Sequence, residues 1–198
     1  MSVVSSRLAA APRVRVWDPL VRIFHWSLVA AFATAYLVED DPLTVHVWAG
    51  YLILTLLGVR LVWGLIGTRH ARFGDFVRGP RAVLAYVRDT LRGTAPRHLG
   101  HNPAGGAMIV ALLLALSLTG LSGLALYGAE EGAGPLAAAL AATPPAWAHW
   151  LEELHEILAN GTLLLIALHL AGVAFSSLAH RENLVAAMIF GTKRSGDR

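Results

Sequence analysis

Four long apolar stretches, separated by polar segments of contrasting charge, organise this chain. A bilayer core about 30 Å thick is crossed by roughly 20 apolar residues in helical form. Four segments meet that demand: Leu20 to Val38, Val45 to Ile66, Ala104 to Tyr127 and Leu154 to Leu178. Each is predicted to be a transmembrane helix. The segment joining the second to the third, Gly67 to Pro103, is too long to be structureless. Within it, Gly79 to Gly93 has Pro near its start, an apolar stripe and arginines on another face, which predicts an amphipathic helix on the membrane surface. Asn183 to Phe190 predicts a second. Asn102-Pro103 reads as an N-cap and first-turn proline opening the third span. The expected class is all-α, an integral membrane four-helix bundle with short interfacial amphipathic helices.

Composition agrees with a lipid environment. Hydrophobic residues make up 56% of the chain and charged residues 15%, against about 25% charged in a soluble domain. The sign of each connection then orients the bundle. All 16 Lys and Arg residues lie in the N-terminal segment, the second-to-third connection, the C-terminal tail, or helix ends beside them. The other two connections carry Glu39, Asp40, Asp41, Glu130 and Glu131, with Glu152 and Glu153 entering the last helix, and no Lys or Arg. By the positive-inside rule, both termini are expected in the cytoplasm. The net charge of +3 is therefore a topology signal and not a nucleic-acid footprint. Residues 1–15 lack a signal-peptide core and read as a mobile cytoplasmic tail. Residues 16–194 form the bundle and 195–198 a C-terminal tail. There is no cysteine, which excludes disulfides, iron–sulfur clusters, zinc–thiolate sites and the C-x-x-C-H attachment of c-type haem.

Nine histidines remain as the informative residues, and four sit in or at the ends of spans: His25, His46, His155 and His169. Ionisable groups inside a membrane are expensive and usually functional. His155 and His169, 14 residues apart, are separated by about 21 Å of rise and only about 40° of rotation. Chain direction places His25 near the inner end of its helix and His46 at the outer end of the next. Depth therefore pairs His25 with His169 inside and His46 with His155 outside. Each pair joins different helices, so a flat macrocycle fits between them. A lone membrane histidine also serves as an interhelical hydrogen-bonding residue, but two depth-matched pairs favour ligation. Zinc or copper would lack partners at a two-histidine site. Two non-covalent b-type haems, each held by two histidines, are the expectation, and the iron ligands are His25, His46, His155 and His169.

The other histidines read differently. His70, His98 and His101 are expected on solvated surface in the basic connection. His149 precedes the last span and His180 ends it. No methionine lies opposite a ligand. Arg60, 14 residues after His46, shares its face four turns deeper, level with the inner haem. A haem propionate would serve as its anionic partner; the alternative is snorkelling to the headgroups. Arg22, one turn before His25, raises the same question. Gly50, Gly58, Gly161 and Gly172 allow close approach of a helix or a flat cofactor, helix packing being the commoner cause.

The run Trp17-Asp18-Pro19-Leu20-Val21-Arg22-Ile23-Phe24-His25-Trp26 resembles the opening of bacterial cytochrome b561-type membrane proteins. So do His46 with Gly50, Arg60-Leu61-Val62-Trp63-Gly64, Leu154-His155-Glu156, and His169 with Gly172-Val173. Ala71-Arg72-Phe73, Gly79-Pro80 and His101-Asn102-Pro103-Ala104-Gly105-Gly106 resemble a branch related to hydrogenase b-type cytochrome subunits. The resemblance implies a dihaem electron-transfer protein of the bacterial inner membrane, without a catalytic domain of its own. Its expected partners are quinone or quinol and a periplasmic cytochrome or oxidoreductase subunit, and its expected ligands are the same four histidines. Two other roles stay open: an anchor docking a hydrogenase-like enzyme, or a surface oxidoreductase such as a superoxide:quinone oxidoreductase. A proton or ion transporter would want acidic residues mid-span, and only Glu156, near an outer end, offers one.

Overall fold

A computed structural model describes residues 12–39 and 41–195. Four long helices dominate it: α1 (Pro19–Val38), α2 (Leu43–Ile66), α5 (Pro103–Glu130) and α7 (Pro145–Ala179). Short helices lie between and after them: α3 (Phe73–Phe76), α4 (Pro80–Leu91), α6 (Ala137–Leu140) and α8 (Leu184–Phe190). All four long helices have the length and composition of membrane spans, and the all-α membrane class stands. α1 opens on Asp18, whose side chain accepts from the Val21 N–H, with Pro19 in the first turn. α5 opens the same way on Asn102 and Pro103. Both caps follow from residues that satisfy or lack the N–H groups a helix start leaves unpaired.

The expected spans are recovered within a few residues, except at the start of α7. That helix begins at Pro145, nine residues before the expected Leu154. Its first turns carry His149, Glu152 and Glu153, too polar for a lipid criterion yet compatible with a helix in water. At 35 residues it is about 52 Å long, so it projects beyond a bilayer core. Trp147 and Trp150, with ring centroids 5.9 Å apart, suit the headgroup level. The two amphipathic helices form as α4 and α8.

Two antiparallel hairpins, α1 with α2 and α5 with α7, are joined along α2 and α5. Phe24, Ala31 and Ala35 of α1, Ala49, Ile53 and Leu57 of α2, and Leu113 and Leu116 of α5 share one packed core. Among its described residues, α7 adds only Thr162 to the fully buried set. It is held instead by side-chain hydrogen bonds. The hydroxyls of Thr119 and Thr162 lie 3.1 Å apart, and Tyr36 of α1 donates to Asn160 Oδ1 at 2.9 Å. Such bonds substitute for a hydrophobic drive that lipid cannot supply.

The basic end is closed by its own connection. Phe76 is 1% exposed, and a Cβ at Gly106 would lie 2.6 Å from its carbonyl oxygen. Gly64 likewise makes room for the Phe73 ring. The N-terminal segment is not wholly a free tail. Arg13–Arg15 (β1) pairs antiparallel with Thr192–Arg194 (β2), and Ser195 N–H donates to Pro12 O at 2.8 Å. The remainder of the expected tails, 1–11 and 196–198, lies outside the described residues. Three residues per strand, rich in arginine, give no periodicity to read, so this pairing escapes a pattern argument.

Beneath β2, Glu182 is 8% exposed. Arg97 donates to it at 2.8 Å, and Lys193 Nζ lies 3.8 Å away. Burial pushes the Glu182 carboxyl up, but the Arg97 hydrogen bond and the two cations outweigh it and hold it below the usual carboxylate range. Because the folded-state value is depressed, its stabilisation is complete above that range and is lost as pH falls from it through the lower folded-state value. Glu182→Gln should cost about 3 kcal/mol by leaving two buried cations short of a partner. At neutral pH it should speed tryptic cleavage at Lys193 and Arg194, and unchanged cleavage would refute the latch.

Candidate functional site

The bundle carries its histidines at two levels, and the acidic-end level is the better defined. His46, in the first turn of α2, and His155, in the third turn of α7, have ring centroids 6.0 Å apart and planes inclined at 75°. His46 Nδ1 lies 3.0 Å from Ala35 O. His155 Nδ1 lies 3.0 Å from both Thr119 O and Ser122 Oγ. A carbonyl only accepts, so each Nδ1 carries the proton and donates. Ser122 in turn donates its hydroxyl to Thr119 O at 2.8 Å. A neutral imidazole protonated at Nδ1 presents Nε2 as its metal-binding atom, and such backbone bonds orient metal-ligating histidines.

The separation fits a shared ion. Metal–nitrogen bonds of about 2 Å from each ring would bring two imidazoles on one metal to a centroid separation of this order. Gly123 makes the His155 position possible, because a Cβ there would come within 2.9 Å of His155 Cε1. Sequence reasoning missed Thr119, Ser122, Gly123 and Thr162. Their signal was present as hydroxyls at i and i+3 on one apolar span, and a third hydroxyl two turns after His155.

At the basic-end level, His25 of α1 and His169 of α7 lie within electrostatic reach of one another. His25 Nδ1 is buried and has no hydrogen-bond partner among the described residues. The pair expected from depth at the acidic end is brought into ring contact, while His25 and His169 stand on different helices, within electrostatic reach. Among the described residues, no cluster of three or more His, Cys, Asp or Glu is placed to hold a bare metal ion. A macrocycle that supplies the remaining ligands fits two-histidine sites; a bare ion does not.

The glycines need correction. A Cβ at Gly50, Gly58, Gly161 or Gly172 would meet nothing within 4 Å, so helix packing does not require glycine at these positions. Gly50 and Gly172 stand one turn beyond His46 and His169, where the absent side chain leaves room for a flat ring. The helix contacts that do demand glycine lie elsewhere, as at Gly120 against Leu54 and Gly123 against His155.

The two arginines part company. Arg60 is 3% exposed and does not snorkel. Its Nη2 donates to Ala71 O at 3.0 Å, its guanidinium lies 5.0 Å from the Phe73 ring centroid, and Nη1 is buried without a partner among the described residues. Arg22 turns toward α8. A Cβ at Gly191, the residue capping α8, would lie 3.3 Å from its Cδ and Nη1. With Ile23, Trp26, Ser27 and Ile189 it lines an open cleft of ≈ 330 Å³.

His101 is the other correction. It is not solvated surface. Its ring lies 4.4 Å from Trp17 and 4.8 Å from Phe76 by centroids, and its Nδ1 is buried without a partner among the described residues. Burial, then the positive fields of Lys193, Arg60 and His70, pushes its pKa down to about 3, against the opposing field of Asp75. It is a neutral imidazole at neutral pH. Of the remaining histidines, His70 Nδ1 pairs with Asp75 Oδ2 at 3.0 Å. His149 lies inside α7, exposed, against Glu152 and Glu153.

Residues 16–191 match the family described as prokaryotic cytochrome b561. The chain is 23% identical to a probable Ni/Fe-hydrogenase B-type cytochrome subunit of Bradyrhizobium diazoefficiens, over 96% of its own length and 90% of the relative's. It is also 23% identical to a protein of the same description from Rhizobium leguminosarum bv. viciae, over 93% of its length and 90% of that relative's. No solved structure matches the chain.

Proposed function

The chain belongs to the prokaryotic cytochrome b561 family, and from that premise we propose that it conducts electrons across the membrane through two b-type haems. His46 and His155 would hold one near the acidic end, and His25 and His169 the other near the basic end. The paired Nδ1–H donors of His46 and His155, each on a backbone carbonyl across a 6.0 Å centroid separation, carry this reading. Haem held by these histidine pairs would supply a one-electron redox centre. The chain's part is to fix depth and orientation. Thr119 and Ser122 set the His155 ring, Ala35 O sets the His46 ring, and the 14-residue spacing on α7 separates the two levels by about 21 Å.

The electrons would pass between the quinone pool on the membrane side and an oxidoreductase subunit docked at the acidic, outward end. Two observations support such a partner. The relatives are described as B-type cytochrome subunits of Ni/Fe-hydrogenases. Glu39, Asp41, Glu131, Glu152 and Glu153 are exposed at one end of the bundle, beside the projecting turns of α7, and would complement a basic partner surface.

Haem quantitation with a redox-titrated spectrum on the purified protein tests the site. Two haems per chain are expected, fully extractable by acid–acetone because there is no cysteine to hold them, with b-type bands and two redox components on reduction. A reproducible single haem per chain would sink the two-pair scheme.

A further inference from the structure

We propose that Arg60 and His101, brought together from α2 and from the turn before α5, form the polar seat for a propionate of the basic-end haem. This rests on the haem reading above and adds His101 to it.

Both residues are buried, and each keeps one side-chain nitrogen unmatched among the described residues. Arg60 uses Nη2 on Ala71 O and its π face on Phe73, while Nη1 finds no acceptor among the described residues. His101 is packed between Trp17 and Phe76, and its Nδ1 is likewise unmatched. The two feel one another electrostatically. Buried polar groups in folded proteins are nearly always hydrogen-bonded. Two unmatched nitrogens in one aromatic-walled region therefore call for a partner, and beside a guanidinium that partner should be an anionic acceptor.

Among the described residues the carboxylates at this end are committed, Asp89 to Arg88 and the others as follows. Asp18 is within range of Arg60, but its oxygens accept from Val21 N–H, Trp63 Nε1 and Thr68 Oγ1. Asp75 pairs with Arg69 and His70. Glu182 pairs with Arg97 and Lys193. A carboxylate beyond these is the remaining chemistry, and the planar oxygens of a propionate suit a guanidinium fork.

Depth selects which carboxylate. Arg60 follows His46 by 14 residues on α2, as His169 follows His155 on α7, so Arg60 stands level with the basic-end pair. Trp17, against which His101 packs, lies just before α1, whose first residue Pro19 precedes His25 by six residues, about 9 Å of rise. A propionate extending from a haem on His25 and His169 toward this end would enter the space where the two unmatched nitrogens lie.

The test is a redox titration of the two-haem protein that resolves each haem, with Arg60→Gln, Arg60→Lys, His101→Phe and His101→Gln. An unneutralised propionate favours the ferric state. Arg60→Gln should therefore lower the basic-end haem's reduced-to-oxidised ratio about tenfold at fixed potential, about 59 mV for one electron. His101→Phe should shift it the same way by less. His101→Gln, which keeps an amide donor, should restore much of the loss, and Arg60→Lys should fall between wild type and Arg60→Gln. The acidic-end haem should not move. A role limited to packing predicts no such rescue. Unchanged basic-end potentials in both Arg60→Gln and His101→Phe, with two haems retained, would overturn the proposal. Absence of a basic-end haem from the wild type would instead overturn the haem reading on which it rests.

Discussion

Replacing His155 by Ala should abolish the acidic-end redox component entirely and leave the basic-end component in place; replacing His169 should do the reverse. The selectivity follows from the two levels lying about 21 Å apart on one helix, with no ligand in common. The fold should survive the loss. Removing the His155 ring forfeits its hydrogen bonds to Thr119 O and Ser122 Oγ, at about 1 kcal/mol each. Thr119–Thr162 and Tyr36–Asn160 continue to hold α7 to its neighbours. His46→Ala should match His155→Ala, and His25→Ala should match His169→Ala. A parallel set with Met keeps a bulky thioether in the site and separates loss of a ligand from loss of packing. Redox titration of each variant gives the result directly. Should His25→Ala and His46→Ala erase the same component, the pairing is wrong.

The four spans, and which histidines lie on them, were legible because lipid allows so few solutions. A helix that crosses must be long and apolar, and a polar ring within it is conspicuous. What hydropathy missed was everything water or protein, not lipid, decides. The first turns of α7 are helical although Glu152 and Glu153 are exposed there, since helix formation in water tolerates charge. His101 sits among arginines in the sequence, which suggested a wet surface. Its burial depends on Trp17 and Phe76, which are 84 and 25 residues away, and no local pattern encodes such a contact. The β1–β2 clamp is equally non-local. Glycines illustrate the same limit. Small residues in spans are visible, but which of them is needed depends on the facing side chain: Gly123 faces a histidine ring, whereas Gly50 faces open space.

Gly123 therefore supplies the sharpest test of the acidic-end geometry. Its helix runs past His155 so closely that a single added carbon would stand 2.9 Å from Cε1, 3.3 Å from Nδ1 and 3.5 Å from Nε2. The ring has little freedom to retreat, because Nδ1–H is bound to Thr119 O on the same helix. Overpacking a fitted site costs about 1–3 kcal/mol, and here the strain falls on the His155 ring, the proposed ligand. Gly123→Ala asks for a shift of a few tenths of an ångström, so the haem should remain with a perturbed spectrum or potential. Gly123→Leu cannot be accommodated by such a shift and should eject the acidic-end haem while sparing the basic-end one. Gly120→Leu is the control, one turn earlier on the same helix. Its added carbon meets Leu54 Cδ2 at 2.6 Å, so it disturbs packing between α5 and α2 without touching a histidine. It should lower thermal stability without selective loss of the acidic-end haem. Equal loss of both haems in the two leucine variants would reduce the Gly123 effect to packing, and a normal acidic-end haem in Gly123→Leu would show that His155 does not ligate iron from this position.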